Sequence, residues 1–226
     1  MISASALIHP EVLLPQDVIV GPNAILEKGV VLSSGCVLGA SCHLFPNVSL
    51  AKNVEVHQGA VIGGYPQISN FAKKNLKGVE IGEGSIIREY ATINSGIQVK
   101  TSIGKNSLLM AYCHIGHDAK LEDNVILSNG VQIGGHVYIH EGAVIGGNTA
   151  IHQFSSIGSY SFVGGTLKID RDIPPFAKAI GNPLAWAGLN KKGAERANIS
   201  PVEFQQWKHL YNCLLYTSDA ADDGLS

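Results

Sequence analysis

Long apolar runs are missing from the 226 residues. No stretch approaches the roughly 20 consecutive apolar residues that span a bilayer, which excludes a transmembrane helix. The opening, MISASALIHPEVLLPQ, has no basic segment leading into an apolar one, so no signal peptide is expected. An excess of charge is missing too: 16 basic residues face 18 acidic ones. That near-balance leaves no electrostatic footprint for nucleic acid or an anionic membrane surface. Cysteine is sparse, with Cys36, Cys42, Cys113 and Cys213 showing no CxxC pairing. They read as small buried side chains in a reducing compartment. Aromatic residues make up only 7% of the chain while glycine reaches 26 residues, a mixture that suits a coil with many tight corners better than a helical bundle. A soluble, cytoplasmic protein is expected.

What the chain has is a repeat. Ile8, Leu14, Val20, Leu26, Leu32, Leu38, Leu44, Leu50, Val56 and Ile62 follow one another in steps of six, all aliphatic. Four residues after each of the first nine sits a second small or medium apolar side chain: Val12, Val18, Ala24, Val30, Cys36, Cys42, Val48, Val54, Ala60. The register breaks, resumes at Ile81, Ile87 and Ile93, breaks again, and runs from Ile103 to Val163. A step of six matches neither a 3.6-residue helix nor a flat two-sided sheet. It fits short strands joined by tight turns, three sides to a coil of 18 residues, with coils stacked at the inter-strand spacing of about 4.8 Å. The expected fold is therefore an all-β solenoid, a parallel β-helix of hexapeptide repeats over 1–171. Loops at 64–80 and 94–102 are expected to project outward. DIPPF (172–176) and GNP (181–183) mark a chain leaving the solenoid. Within the 172–212 extension, SPVEFQQWKHLYN carries the signs of a helix start, with Ser200 as N-cap, Pro201 at the first turn and Glu203 three residues after the cap. The final CLLYTSDAADDGLS, within 213–226, does not continue the amphipathic pattern and reads as a non-native tail on a truncated chain.

Stacking by 18 turns sequence into geometry. His117 falls beneath Gly135 and Gly135 beneath Gln153, with His136 and His152 adjacent to that column. Clustered polar residues on a solenoid are a functional signal, whereas His9, His43, His57, His140 and His209 lack such alignment and read as structural. Acyl transfer to a hydroxyl needs a base near neutral pH, a group that orients it and a donor for the developing oxyanion. His117 can serve as the base. Asp118 can orient it if its carboxylate reaches a ring nitrogen, and the Gly135 N–H is an accessible donor because glycine permits close approach. No serine or cysteine pairs with a base, which favours direct transfer over a covalent intermediate.

The run LLMAYCHIGHDAKL (108–121), then GGHV (134–137), AIHQF (150–154), VGG (163–165), DIPP (172–175) and GLN (188–190), resembles the UDP-N-acetylglucosamine O-acyltransferases of lipid A biosynthesis. Motif order and spacing hold from IHP (8–10) to about Ser200. The resemblance implies a left-handed β-helix and a homotrimer with active sites between subunits. It implies transfer of an R-3-hydroxyacyl chain from acyl carrier protein to the glucosamine 3-hydroxyl, with no metal and no cofactor beyond the carrier's own phosphopantetheine. It makes His117 the general base, Asp118 its partner and Gly135 the oxyanion donor, with His114, His136, His152 and Gln153 lining the substrate cleft. Gly165 then matches the position that sets acyl-chain length, and Asn190 and Arg196 match positions near the nucleotide or phosphopantetheine. Lys191 and Lys192 join Arg196 as candidates to meet an acidic carrier, with a solvated basic turn as the equal alternative. In the first loop Gln67 fits the family pattern, while Ile68 and Asn70 stand where an Asp and a Lys are usual, and Ala197 stands where a second arginine is expected.

Three other readings compete. A hexapeptide-repeat transferase could act on another nucleotide sugar or draw on acyl-coenzyme A. A γ-type carbonic anhydrase shares the coil and binds zinc through three histidines; His117 and His152 approximate one ligand interval, but position 157 is Ile. A non-catalytic scaffold would have no use for the His117, Asp118 and Gly135 constellation.

Overall fold

The computed structural model describes residues 1–69 and 75–222, with residues 212–222 as backbone only. Among the described residues the chain winds through three sheets of ten, nine and seven strands, termed faces A, B and C, in the repeating order A, B, C, and all pairings are parallel except that of the last strand. Successive coils pair directly: His114 lies opposite Gln132 and Gln132 opposite Ala150, an offset of 18 residues at each step. This is the expected parallel β-solenoid.

The aliphatic positions from Val20 to Val163 are buried, and Leu44, Ile62, Ile93, Leu109 and Ile115 are fully enclosed. Ile8 and Leu14, at the open N-terminal end, are only partly covered. Each enclosed Leu or Ile contributes roughly 1.5–3 kcal/mol, an upper estimate against an extended chain. The second inward position is apolar in early coils but becomes Ser85, Ser107, Thr149, Ser155 and Ser161 later, all buried. Most return their hydroxyl to a neighbouring coil's carbonyl, as Ser85 does to Gly104 and Thr149 to Gly164, both at 2.7 Å. Among the described residues nothing pairs with Ser161 Oγ. Most corners carry one residue with a left-handed backbone. On the B–C corner that residue is Asp118, His136 and Phe154 in successive coils, with φ of 59°, 59° and 68°.

The solenoid runs past its expected boundary at 171. Lys168–Ile169 still pairs with Ala150–Ile151, Ile173 bridges Ile157, and Ala177–Ile180 lies parallel to Phe162–Val163. The prolines do not stop it because Pro174 and Pro175 fall at the corner, stacked over Gly158, where no ladder N–H is required. The chain then turns back as the antiparallel strand Ala185–Leu189 and enters two helices, α1 (Lys191–Arg196) and α2 (Pro201–Asp222). The cap of α2 is as expected. Ser200 Oγ accepts from the Glu203 N–H at 3.2 Å, while the Glu203 carboxylate accepts from the Ser200 N–H at 3.0 Å. Trp207 packs on Phe176, and Tyr211 Oη donates to the Pro175 carbonyl, holding α2 on the end of the coil. The helical backbone continues to Asp222, through the segment set apart as a tail.

Both insertions leave the solenoid at the B–C corner, one after Val61–Gly64 and the other after Thr92–Asn94. The expectation that they simply project outward needs correcting. The two are joined to each other, since Lys77 N–H donates to the Gly96 carbonyl and Gly78 N–H to Ser95 Oγ. Gly78, with φ 88°, must be glycine, because a Cβ there would sit 2.0 Å from the Asn47 carbonyl oxygen. The second segment is folded against the corner, with Ser95 and Gly96 buried. Part of the first loop, including Asn70, lies outside the described residues.

Candidate active site

The B–C corner that carries both insertions also carries the histidine column. His117 Nδ1 lies 2.7 Å from Asp118 Oδ2, and the Asp118 side chain is 0% exposed. Its other oxygen, Oδ1, accepts the main-chain N–H groups of Ile97, Gln98 and Val99 at 2.9, 2.8 and 2.9 Å. Burial on its own would push this carboxyl up. The bonds from His117 and the three N–H groups outweigh it and hold the group below the ordinary carboxylate range. An ionised carboxylate can only accept, so the proton between the two groups sits on Nδ1, which leaves the lone pair of Nε2 on the cleft side. Asp118 itself is fixed in its left-handed turn by its own N–H, which donates to the buried Thr101 Oγ1 at 2.9 Å.

Gly135 sits one coil along from His117. A Cβ there would lie 2.7 Å from His117 Nε2, so only the bare backbone lets the imidazole pack over this turn. The neighbouring Gly134 and His136 N–H groups donate to carbonyls of adjacent coils, while no described residue takes the Gly135 N–H. It is a donor free for a ligand.

A cleft of about 450 Å³ opens in front of this pair. His114, His117, Gly135, His152 and Gln153 line it, together with Gln67 and Ile68 from the first insertion. His114 is paired with Thr92 at 2.8 Å, and burial pushes its pKa down, favouring a neutral ring. His152 Nδ1 donates to the Gln153 carbonyl at 3.0 Å, which leaves Nε2 available. Asn94 and Gln132 also line the cleft and went unnoticed in the sequence, although Gln132 is the residue stacked directly on His114. Asn94 pins the first insertion by donating to the Tyr65 carbonyl at 3.0 Å.

Four expected substrate-binding positions lie off this cleft. His136 is beside the cleft rather than on it. Its ring stacks on Phe154 at 4.7 Å and meets His117 edge-on at 5.0 Å, a packing role that follows from its place in the left-handed column. Gly165 follows Phe162–Val163 on the A–B corner. Asn190 and Arg196 belong to the C–A corner: buried Asn190 donates to the Tyr160 carbonyl at 2.8 Å, and Arg196 to the Gly142 carbonyl at 3.2 Å. One chain therefore brings together His117, Asp118, Gly135, His114, His152, Gln153 and Gln67, and keeps Gly165, Asn190 and Arg196 apart from them.

The ligand atoms of His117, Asp118 and His136 fall within 4.8 Å of one another, so this trio could hold a cation. Both carboxylate oxygens are already engaged, and His136 Nε2 stands 3.9 Å from Oδ2, so the geometry is that of a hydrogen-bonded dyad beside a packed ring. The zinc arrangement weighed from sequence also fails locally, because Ile157 is sealed in the core. A second depression of about 480 Å³ on face C, among Glu80, Lys105, Lys120 and Glu122, holds no histidine.

Comparison with known proteins gives consistent matches. Residues 100–135 match the bacterial transferase hexapeptide model (six repeats), and residues 172–225 match the second domain of UDP-N-acetylglucosamine O-acyltransferase. The latter match includes the segment read as a tail. The chain is similar to the UDP-N-acetylglucosamine O-acyltransferase of Moraxella catarrhalis, at 32% identity and a TM-score of 0.89 over 93% of this chain and 82% of that one. The UDP-N-acetylglucosamine acyltransferase of Campylobacter jejuni gives 32% identity and 0.87 over 93% and 83%. In sequence, the acyl-[acyl-carrier-protein]–UDP-N-acetylglucosamine O-acyltransferase of Gloeothece citriformis is 37% identical over 166 residues, 73% of this chain; the match spans 59% of that relative's length.

Proposed function

Since the chain belongs to the UDP-N-acetylglucosamine O-acyltransferase family, we propose that it moves an R-3-hydroxyacyl chain from acyl carrier protein to the 3-hydroxyl of UDP-N-acetylglucosamine, the first step of lipid A biosynthesis, in the cytoplasm. The observation that carries the reading is the His117–Asp118 pair, at 2.7 Å, placed at a cleft beside the free Gly135 N–H.

His117 Nε2 takes the proton of the sugar hydroxyl as its oxygen attacks the thioester carbonyl. The ring is then an imidazolium, and Asp118 stabilises that charge. The tetrahedral oxyanion accepts the Gly135 N–H. Collapse breaks the carbon–sulfur bond, and the departing phosphopantetheine sulfur takes the proton back from His117. General base catalysis of this kind contributes about 10²–10⁴-fold. A placed oxyanion donor adds a further factor on the order of 10²–10³.

The homotrimer is part of the same proposal. Gly165, Asn190 and Arg196 sit on two other corners of the coil, so a neighbouring copy is required if they are to meet the cleft. Apart from its histidines the described cleft lining is uncharged, and Ile68 occupies a position where the family usually carries an acid. The acceptor is therefore the least constrained element, and another nucleotide sugar is the alternative to test. Mass spectrometry of products from a panel of UDP-sugars and a ladder of acyl carrier protein and coenzyme A thioesters decides it. Acylation of UDP-N-acetylglucosamine by the carrier thioester is expected. Product from a different sugar alone, or from coenzyme A alone, would overturn the assignment.

A further inference from the structure

The proposed chemistry uses Asp118 but leaves unexplained why an insertion of the solenoid is folded against it. Three consecutive main-chain N–H groups, of Ile97, Gln98 and Val99, converge on the single oxygen Oδ1 at 2.8–2.9 Å. Successive N–H groups aimed at one point form a concavity for an anion. Here the anion is internal. With Oδ1 saturated, only Oδ2 is left to face His117 Nδ1, so the carboxylate's rotation is set by the insertion rather than by the corner. The insertion is itself braced: the Ser95 and Gly96 backbone is buried, its Gly96 carbonyl takes the Lys77 N–H at 2.8 Å, and Thr101 at its far end holds the Asp118 N–H.

We propose that the main chain of residues 97–99 is a positioning device for the catalytic dyad, a backbone nest that keeps Asp118 ionised and turned so that His117 carries its proton on Nδ1. The inference rests on the acyl-transfer reading for its effect on rate, but not for its effect on the imidazole. The nest acts through main-chain groups, so side-chain substitutions at 97–99 leave the donors in place. The solenoid repeat accommodates the insertion because it begins and ends on the same corner, between Thr92–Asn94 and Thr101–Ile103.

The test removes one donor without changing a side chain: the α-hydroxy analogue of glutamine at position 98 replaces the 97–98 peptide with an ester. The same replacement at position 99 serves if the first variant does not fold. A hydrogen bond to a charged group is worth about a tenfold effect or more. The expected outcome is therefore a kcat about tenfold lower with KM within twofold, while Lys100→Ala, in the same segment but outside the nest, keeps the wild-type kcat. In an Asp118→Asn background the ester should have no further effect, since both changes act on one interaction. Nitrogen-15 spectra of the His117 ring should show the Nδ1–H tautomer giving way to Nε2–H in the ester variant. Folded ester variants with unchanged tautomer populations, or an ester effect fully additive with Asp118→Asn, would overturn the proposal. The ring spectra need no acyl substrate, so a chain that transfers no acyl group defeats the proposed function while the nest is still decided.

Discussion

At the scale of single residues, charge and space around His117 set the expectations. Asp118 has a folded pKa below its ordinary value. Its stabilising contribution is therefore fully present above the unfolded carboxyl value of about 3.9 and is lost as the pH falls through the lower folded value. Asp118→Asn should lower unfolding free energy at neutral pH, and the gap to wild type should narrow in acid. Urea titrations at about pH 7 and pH 3 compare the two, and a gap that widens in acid would contradict the sign. Gly135→Ala places a methyl 2.7 Å from Nε2 and 2.9 Å from Cε1 of His117. The ring must turn away, so kcat should fall about 10–100-fold with little change in KM. Unaltered steady-state kinetics would show that the ring does not depend on this bare turn.

At the scale of elements, each strand owes its place to one or two enclosed side chains. Leu109→Ala removes a fully buried side chain with no room to collapse and should cost about 2–5 kcal/mol. The reverse case is Ser161, whose buried hydroxyl has no described partner, so Ser161→Ala should leave stability unchanged or raise it slightly. Denaturant unfolding checks both. Burial pushes the thiols of Cys42 and Cys113 up to about 11, so mass-mapped alkylation at these two sites should require unfolding. The coil was legible in the sequence because one face of every hexapeptide must be apolar, and the step of six writes that requirement out residue by residue. His117, Gly135 and Gln153 were legible as a column for the same reason. The hold on Asp118 was not, because main-chain N–H groups carry no side-chain signature. The reach of the coil past 171 was hidden as well: two prolines read as a stop, yet they stand at a corner where a missing N–H costs nothing. His136 could be placed from the sequence only to within one residue. Adjacent in sequence to the cleft column, it belongs to the left-handed column beside it, and one residue along a corner changes which way a side chain faces.

At the scale of the whole molecule, Gly165, Asn190 and Arg196 lie on two corners away from His117, and the proposed homotrimer is what would bring them to the cleft. Mixing two inactive variants, His117→Ala and Arg196→Ala, should restore activity after co-refolding, because some clefts then receive an intact half from each subunit; random mixing gives about a quarter of the sites. Recovery no greater than the sum of the separate preparations would place both residues in one subunit's site. The proposed mechanism turns on the imidazole of His117 taking the acceptor's proton. Single-turnover acyl transfer from 3-hydroxyacyl carrier protein to UDP-N-acetylglucosamine, followed for wild type and for His117→Ala verified as folded, measures it directly. A loss of at least about 10²-fold in the rate of transfer is expected, whereas transfer at the wild-type rate by His117→Ala would show that another group takes the proton.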